Sequence, residues 1–386
     1  MTNITNNAGQ IINTNMGGDV NSAVSRQWAS RPDDQRFASL VDLNDHAQRV
    51  RQNSFAKVIA NRELTAVAVE GDHKALHIVG PTGAPVAATH WSFGQLAQLA
   101  KAPAGYLQSL PSPLTADLVN YGLHHARDVE DVGVLLTRGE NGELPTLRAA
   151  TGPNYGRVWN ADLTQRLTDR FGTGLDSDFK IPAEFGERVE ITKANTSLFA
   201  SDRDMFVFLA DEENRIELQN RRDGRVGSLA RGFYISNSEV GAGTLTFGCL
   251  LFDFACSNRN LWGVNEQHEI KIRHTKSAPH RLAEELLPTL NSFVMRNRDQ
   301  LNHMETMLRA AQAKKIDDVD AFLKGRKFSG SQIVAIKNVA MIEENRPIES
   351  LWDASAAVTA YARGFAHQDA RVDLERAGGA ILSLAA

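Results

Sequence analysis

The chain has 386 residues, of which 42% are hydrophobic and 23% are charged. This composition is ordinary for a soluble globular protein, and a chain of this length can bury a sizeable core without disulfides or metals. The formal net charge of -4 excludes a uniformly basic, polyanion-coating protein, although it leaves room for a local basic face. No run approaches the ~20 apolar residues of a membrane span, and the N-terminus does not resemble a leader, so we expect a cytosolic protein.

The first half of the chain is predicted to alternate hairpins with short helices. Apolar–polar alternation around Gly71-Asp72 predicts one hairpin, and two β-rich runs that flank Asn141-Gly142 predict another. Apolar residues at helical spacing predict a helix over "WSFGQLAQLAKAP" and a second over "NADLTQRLTDRFG". Asn160 is the expected N-cap of the second helix, because its side chain can accept a bond from a free helical N–H.

The second half is predicted to change from strands to helices. Residues from Asp178 to about Thr275 are mostly strand-like, whereas the spacing from Pro279 onward is mostly helical. We therefore predict an α+β fold in which helices flank an antiparallel, hairpin-rich sheet core. Its expected parts are a flexible arm over 1–35, a core over 36–280 and a helical section over 281–386 that packs on the core.

Cations cluster around the apolar stretch 231–263. In "HEIKIRHTK" the alternation puts Ile270 and Ile272 on one face of a strand and the neighbouring cations on the other. We expect the polar residues of 231–263 to join that outer face, where cations would contact phosphates and rings or amides would contact bases. The residues of this predicted nucleic-acid face are Arg221, Arg222, Arg225, Arg231, Tyr234, Asn237, Asn258, Arg259, Lys271, Arg273, His274 and Lys276.

A second candidate is the loop in "RAATGPNYGRVWN". Arg148, Tyr155 and Arg157 surround a turn-forming Gly-Pro-Asn and are possible ligand contacts. The alternative is that Tyr155 and Trp159 anchor the loop to the core. For the cationic face, the alternative is a solvated sheet surface whose arginines pair with Glu239, Glu266 and Glu269.

Other motifs give weaker signals. Cys256, His268, His274 and His280 are metal-ligand types, but their spacing fits no compact zinc pattern, so we expect no metal and no cofactor. The two cysteines, Cys249 and Cys256, are predicted to be buried and reduced. "GAGTLTFG" lacks the ending of a phosphate-binding loop and is predicted to be a turn between strands.

Five segments together resemble a phage- and plasmid-borne family that is filed as a domain of unknown function. They are "RAATGPNYGRVWN", "RGFYISNSEVGAGTLTF", "FACSNRNLWG", "IKIRHT" and "SLWDASAAVTAYARG". The resemblance covers about Phe37 to Leu384. It departs from the pattern Cys-Thr-Asn-Gly-Leu, since Cys256 is followed by Ser-Asn-Arg-Asn-Leu, with an extra residue before Leu261. That departure weakens any role that depends on the geometry there.

The resemblance implies genes of mobile elements and a location in the cytosol of a bacterial host. The family is also similar to single-strand annealing proteins, which form rings and bind single-stranded DNA in a basic groove on an α+β core. We therefore expect a nucleic-acid-binding protein, with single-stranded DNA binding or annealing in recombination or replication as its role, and a homo-oligomer. One alternative is a metal-dependent nuclease or nucleotide-processing enzyme that uses Asp253, Glu239 and His274. Another is a structural or host-takeover protein that binds proteins.

Overall fold

Two β-sheets and three groups of helices make up the computed structural model. It describes residues 31–72, 75–125, 130–139, 142–182, 190–218, 227–253, 258–261, 269–295, 298–365 and 368–385. The strands are β1 (Ser54–Ala60), β2 (Thr65–Ala68), β3 (Leu76–Val79), β4 (Pro85–Ala88), β5 (Asp131–Thr137), β6 (Thr146–Thr151), β7 (Phe179–Lys180), β8 (Leu198–Ala200), β9 (Met205–Leu218), β10 (Gly227–Asn237), β11 (Leu245–Asp253), β12 (Asn258–Leu261) and β13 (Glu269–Ile272).

The helices are α1 (Leu40–Asn53), α2 (His90–Leu99), α3 (Ala104–Ser109), α4 (Ser112–His125), α5 (Asn160–Phe171), α6 (Ala278–Arg281), α7 (Leu287–Met295), α8 (Arg298–Ala313), α9 (Val319–Lys324), α10 (Gly330–Glu344), α11 (Leu351–Ala362) and α12 (Gln368–Leu382). In the chain, α1 precedes the first sheet, α2 to α4 lie between its strands β4 and β5, α5 lies between the two sheets, and the other helices follow the second sheet. A π-helical turn over Leu282–Leu286 joins α6 to α7. The predicted α+β class, with its helical C-terminal section, is confirmed.

The first sheet has the order β1-β5-β6-β4-β3-β2, and its only parallel pair among the described strands is β4 with β6. The predicted hairpins are both present in it. β2 pairs antiparallel with β3 across the Gly71-Asp72 turn, and β5 pairs antiparallel with β6. Helices α2, α3 and α4 pack their apolar residues on this sheet and form one hydrophobic core.

The second sheet has the order β12-β11-β10-β9-β7, with β13 added to β11 and β8 added to β9. Apolar residues cover it on both faces. Phe233, Ile235 and Phe247 belong to a core that includes α1, α5 and α7, whereas Phe208 and Tyr234 face α12. A strand between two covered faces has no solvent side. The expected outer polar face of the 231–237 segment is therefore wrong.

Two local predictions need correction. Asn160 is the first residue of α5 rather than its N-cap. Its backbone N–H donates to the side chain of Glu239, which lies in the loop between β10 and β11. The flexible arm predicted over 1–35 is wrong for its last residues, because Arg31 is buried and donates to Asp204 at 2.6 Å. Residues 1–30 lie outside the described residues.

The C-terminal helices form a further core with the far end of the second sheet. Ile216, Leu229 and Leu251 of that sheet contact apolar residues of α8 to α12. Capping sets the helix starts locally: the Ser329 and Ser350 side chains each accept from a backbone N–H of the first turn. Among the described helices, none is long and apolar enough to cross a membrane.

The loop Ser238–Thr244 joins β10 to β11 within the second sheet. It also contacts α2, which packs on the first sheet. Gly241 has a positive φ of 85° there, a conformation that favours glycine. The first half of "GAGTLTFG" is therefore the predicted turn between strands, whereas its second half, from Leu245, already belongs to β11. The Val240 carbonyl accepts from Trp91 Nε1 at 3.0 Å and from Gln95 Nε2 at 2.8 Å, both on α2. This loop therefore fixes the position of α2 against the second sheet.

Candidate nucleic-acid interface

Two of the segments singled out in the sequence lie against each other. The Gly156 N–H donates to the His274 carbonyl at 3.1 Å, and the His274 ring returns a bond to the Gly156 carbonyl at 3.1 Å. A Cβ at residue 156 would overlap the Thr275 carbonyl oxygen, so only glycine permits this approach. The loop before α5 and the segment after β13 thus form one surface.

Alternation along an extended segment orders the side chains of this loop. Residues 155, 157 and 159 carry Tyr, Arg and Trp, and alternate residues of extended backbone project to the same side. The Arg157 Cζ lies 5.4 Å from the Tyr155 ring centroid and 5.5 Å from that of Trp159. The guanidinium therefore lies between two aromatic rings.

The stack continues at both ends. Arg51, in the last turn of α1, has its Cζ 4.0 Å from the Trp159 ring centroid. At the other end the His274 ring stacks on Tyr155, with centroids 4.9 Å apart and an interplanar angle of 23°. We call the series Arg51, Trp159, Arg157, Tyr155 and His274 the arginine–aromatic ladder. Each of its guanidinium–ring contacts is a cation–π interaction.

Backbone acceptors from the Ser238–Thr244 loop fix the ladder. The Tyr155 hydroxyl donates to the Ser238 carbonyl at 2.7 Å, and Arg157 Nε donates to the Glu239 carbonyl at 2.7 Å. Burial raises the pKa of Tyr155, so its hydroxyl stays a donor at neutral pH. Burial lowers the pKa of His274, which keeps its ring neutral there. The ladder's positive charge comes from its two arginines.

Exposed cations lie at the ladder's Arg51 end and next to its His274 end. Arg49 and Arg51 lie on α1, and Arg273 and Lys276 flank His274. Within the described part of the chain, none of these four makes an ion pair. Lys271 is also exposed, whereas Ile272 is fully buried, so the predicted division of β13 into cationic and apolar faces is confirmed.

Three residues of the predicted face are buried instead. Arg231 is 1% exposed and donates to Asp211 at 3.0 Å and to the Phe293 carbonyl at 2.9 Å. The Tyr234 ring covers Gly248 under α12, and Asn237 donates to the Val158 carbonyl. These residues cannot reach a polynucleotide in this structure, because helices cover both faces of their strand.

Arg148 of the loop candidate is also buried. It donates to Glu239 at 2.9 Å, and the other Glu239 oxygen accepts from the Asn160 N–H at 2.8 Å. The ion pair between Arg148 and Glu239 links β6 of the first sheet to the loop between β10 and β11 of the second sheet. Arg148 is therefore a structural residue and not a ligand contact, while Tyr155 and Arg157 belong to the ladder.

The remaining predicted contacts lie outside the described residues. Arg221, Arg222 and Arg225 fall in the gap between β9 and β10. Asn258 and Arg259 belong to β12, but their side chains are likewise outside the described part.

Two of the three residues of the alternative enzyme, Glu239 and His274, are held by structural partners. Glu239 is buried and engaged by Arg148, and His274 is stacked on Tyr155. His280 is exposed and pairs with Glu284 at 2.9 Å. In the ranges that the structure covers, no three His, Cys, Asp or Glu side chains lie together as metal ligands would. Cys256, His268 and the Asp253 side chain lie outside those ranges, and Cys249 is buried with a free thiol.

Arg49 and Arg51 were missed from the sequence. They lie more than a hundred residues before the loop that they border, on a helix whose exposed cations resemble any solvated face. The spacing Tyr-x-Arg-x-Trp was the available signal for the rest of the ladder, since it predicts three large side chains on one side of an extended loop.

Comparison with known proteins gives no relative. No family model, no curated protein and no solved structure matches the chain.

Proposed function

We propose that the arginine–aromatic ladder and its bordering cations bind single-stranded nucleic acid, with DNA of a phage or plasmid as the expected ligand. The observation that supports this is the unbroken series of guanidinium groups and rings from Arg51 to His274, beside the exposed cations Arg273 and Lys276. A single strand needs cations for its phosphates and planar groups for its bases.

The two parts of the surface would act on different parts of the strand. Arg49, Arg273 and Lys276 are long, exposed and unpaired in the described structure, so they are suited to phosphates. Arg51 is exposed with one face of its guanidinium on Trp159, which leaves the other face for a base. Neither contact reads a base edge, so binding would be largely independent of sequence.

The double variant Arg273→Ala/Lys276→Ala is expected to weaken binding and to change its salt dependence. Each phosphate contact on a single strand contributes about 0.7 to the slope of log affinity against log salt, so losing two should lower it by about 1.4. The measurement is fluorescence anisotropy of a labelled oligonucleotide of about 16 nucleotides at several salt concentrations. Wild-type protein without salt-sensitive binding at micromolar concentration would refute the proposal.

Matched variants separate this surface from general charge effects. Arg309→Ala/Lys337→Ala removes two exposed cations from α8 and α10 and should leave the slope unchanged. Arg51→Lys keeps the charge but loses the planar group, so it should weaken binding without changing the slope, whereas Arg51→Ala should change both. If the two double variants change the slope alike, Arg273 and Lys276 are not phosphate contacts. If Arg51→Lys and Arg51→Ala bind alike, Arg51 does not contact a base as assigned.

Faster pairing of two complementary strands in the presence of the protein would extend the function from binding to annealing.

The proposal includes self-association, because two helices expose apolar stripes. On α4 and neighbouring α3 the stripe is Leu114, Leu118, Tyr121 and Tyr106, with Tyr121 68% exposed. On α10 it is Val334, Met341 and Ile342, with Ile342 67% exposed. The inner faces of these helices belong to different cores. Two unlike apolar patches on one chain suit head-to-tail contact between copies, which gives rings when the rotation closes.

Tyr121→Glu is expected to convert the oligomer to a monomer, because it places a charge in the centre of the α4 stripe. Light scattering on a sizing column measures the mass directly. Ala313→Glu adds the same charge at an exposed position of α8, outside both stripes, and should leave the mass unchanged. A wild-type protein that is monomeric at all concentrations tested would remove self-association from the proposal and leave strand binding standing.

A further inference from the structure

The first sheet has two edge strands, β2 and β1, and a helix side chain covers the edge at β2. Asn120 of α4 accepts from the Ala66 N–H at 2.7 Å and donates to the Ala66 carbonyl at 2.8 Å. One side-chain amide therefore satisfies both outward backbone groups of Ala66. Such cover prevents an edge strand from pairing with another chain.

Alternation identifies the backbone groups of β1 that face away from the sheet. The Asn61 N–H donates to the Glu130 carbonyl at 2.8 Å, and the Arg138 N–H donates to the Asn53 carbonyl at 2.9 Å. β1 and β5 pair over 54–60 without a register shift, so the odd-numbered residues of β1 direct their backbone groups to β5. The even-numbered residues direct both N–H and C=O outward.

Two of these outward residues leave the edge open. Ala56 and Val58 are exposed, and within the described residues their outward N–H and C=O groups have no hydrogen-bond partner. The next outward donor, the Ala60 N–H, donates to the Glu63 side chain at 3.1 Å. We call Ala56 and Val58 the open edge of β1. Free donors and acceptors along an edge are the template on which a further strand is added.

The strand at this edge is apolar on both faces. Phe55 is 45% exposed and Val58 is 49% exposed. Odd and even residues of a strand project to opposite faces, so these two side chains lie on different sides of the sheet. An added strand that covers both needs two consecutive apolar residues, because consecutive side chains also project to opposite faces.

A second copy of β1 does not suit this edge. The N–H groups of Ser54 and Ala60 are already bonded, so an antiparallel copy must pair Ala56 of each chain with Val58 of the other. That register places the Lys57 residues of the two copies directly opposite each other. Like charges in this position are destabilising.

The N-terminal arm of the chain contains the required pair of residues. Within 1–30, Ile11-Ile12 is the only pair of consecutive large apolar residues. It lies in "QIINT", which has no charge and no proline and has β-branched residues at three of its five positions. This composition favours a strand.

The arm joins the described structure near the first residue of β1. Arg31 donates to Asp204 at 2.6 Å. Arg148 donates to the Asp202 carbonyl at 3.4 Å, and its Nη1 lies 3.5 Å from Ser54 Oγ. The turn that contains Asp202 and Asp204 therefore contacts Arg31 and, through Arg148, the start of β1.

We propose that residues 10–14 of this chain's own arm add to β1 as a further strand, bonded through the backbone of Ala56 and Val58. Ile12 precedes Arg31 by 19 residues, a length of chain that spans up to about 60 Å, so the segment reaches the edge. Tethering also gives it an effective concentration on the order of millimolar. The proposal does not rest on strand binding at the ladder.

Hydrogen exchange of the full-length protein at the Ala56 and Val58 amides tests the proposal. We expect both amides to exchange more slowly in wild type than in Ile11→Asn/Ile12→Asn, by about tenfold or more, because an outward amide without a partner is open to solvent. The matched variant Val20→Asn/Val24→Asn changes two apolar residues elsewhere in the arm and should exchange as wild type does. These substitutions lie outside the described sheets and helices.

Substitutions at residue 58 test the edge itself. Val58→Pro removes an outward donor and no bond to β5, so the sheet should stay folded while the Ala56 amide becomes fast to exchange. Val58→Thr keeps both the N–H and the β-branch and should leave the Ala56 amide slow.

Three results would overturn the proposal. The first is fast exchange of both amides in wild type, which would show that the edge is unoccupied. The second is slow exchange that Ile11→Asn/Ile12→Asn retains, since the occupant would then be another segment or another protein. The third is slow exchange that is lost on dilution, which would assign the added strand to a second copy.

Discussion

Replacing Arg231 by alanine is expected to lower the free energy of unfolding by about 3–5 kcal/mol, although the sequence pattern assigns this residue to a binding face. The substitution leaves the Asp211 carboxylate buried without its cation, and it removes the donors that satisfy the carbonyls of Phe293 and Val294. A buried charge without a partner is among the most destabilising changes that a single substitution makes. Chemical denaturation followed by circular dichroism measures the effect.

Two comparisons make the Arg231 result specific. Arg273→Ala removes an exposed cation and should change stability by no more than about 0.5 kcal/mol. The double variant Arg231→Met/Asp211→Asn removes both charges and should recover part of the loss, since neither charge is then left buried without its partner. If Arg231→Ala were as stable as wild type but lost salt-sensitive strand binding, the residue would be the phosphate contact that the sequence suggested.

Glu239→Ala is expected to destabilise the protein by a similar amount, about 3–5 kcal/mol, and also to weaken strand binding. Its carboxylate pairs with Arg148 of the first sheet and accepts from the first N–H of α5. Removing it leaves a buried guanidinium unpaired at the junction of the two sheets. The same residue's carbonyl accepts from Arg157, so disorder at the junction should reach the ladder. Denaturation and anisotropy on one sample measure both effects.

A smaller change separates the effect of losing the ion pair with Arg148 from the effect of losing the hydrogen bond to the first N–H of α5. Glu239→Gln keeps an acceptor for the Asn160 N–H but removes the charge opposite Arg148, so its stability should lie between those of wild type and Glu239→Ala. Glu305→Ala breaks an exposed pair on α8 and should cost no more than about 0.5 kcal/mol. A Glu239→Ala variant with wild-type stability would show that the ion pair does not connect the sheets energetically.

Local patterns were sufficient for much of the fold. The Gly71-Asp72 hairpin depends on residues within about fifteen positions of one another, from Thr65 to Val79, so alternation and turn chemistry predict it. The apolar face of β13 follows from alternation alone, and Ile272 is buried as expected. The start of α5 was misplaced by a residue, because its first N–H finds an acceptor 79 positions away in sequence rather than in a local cap.

The sequence by itself determined the α+β class, the hairpins, the helical C-terminal section and the cationic side of β13, because each depends on periodicity over a few residues. Only the tertiary structure decided which cations are buried. Arg231 and Arg273 look alike in the sequence, yet helices cover both faces of β10, whereas residue 273 follows a short strand and remains exposed. It also decided that Arg51 of α1 stacks on Trp159, since long-range packing brings them together.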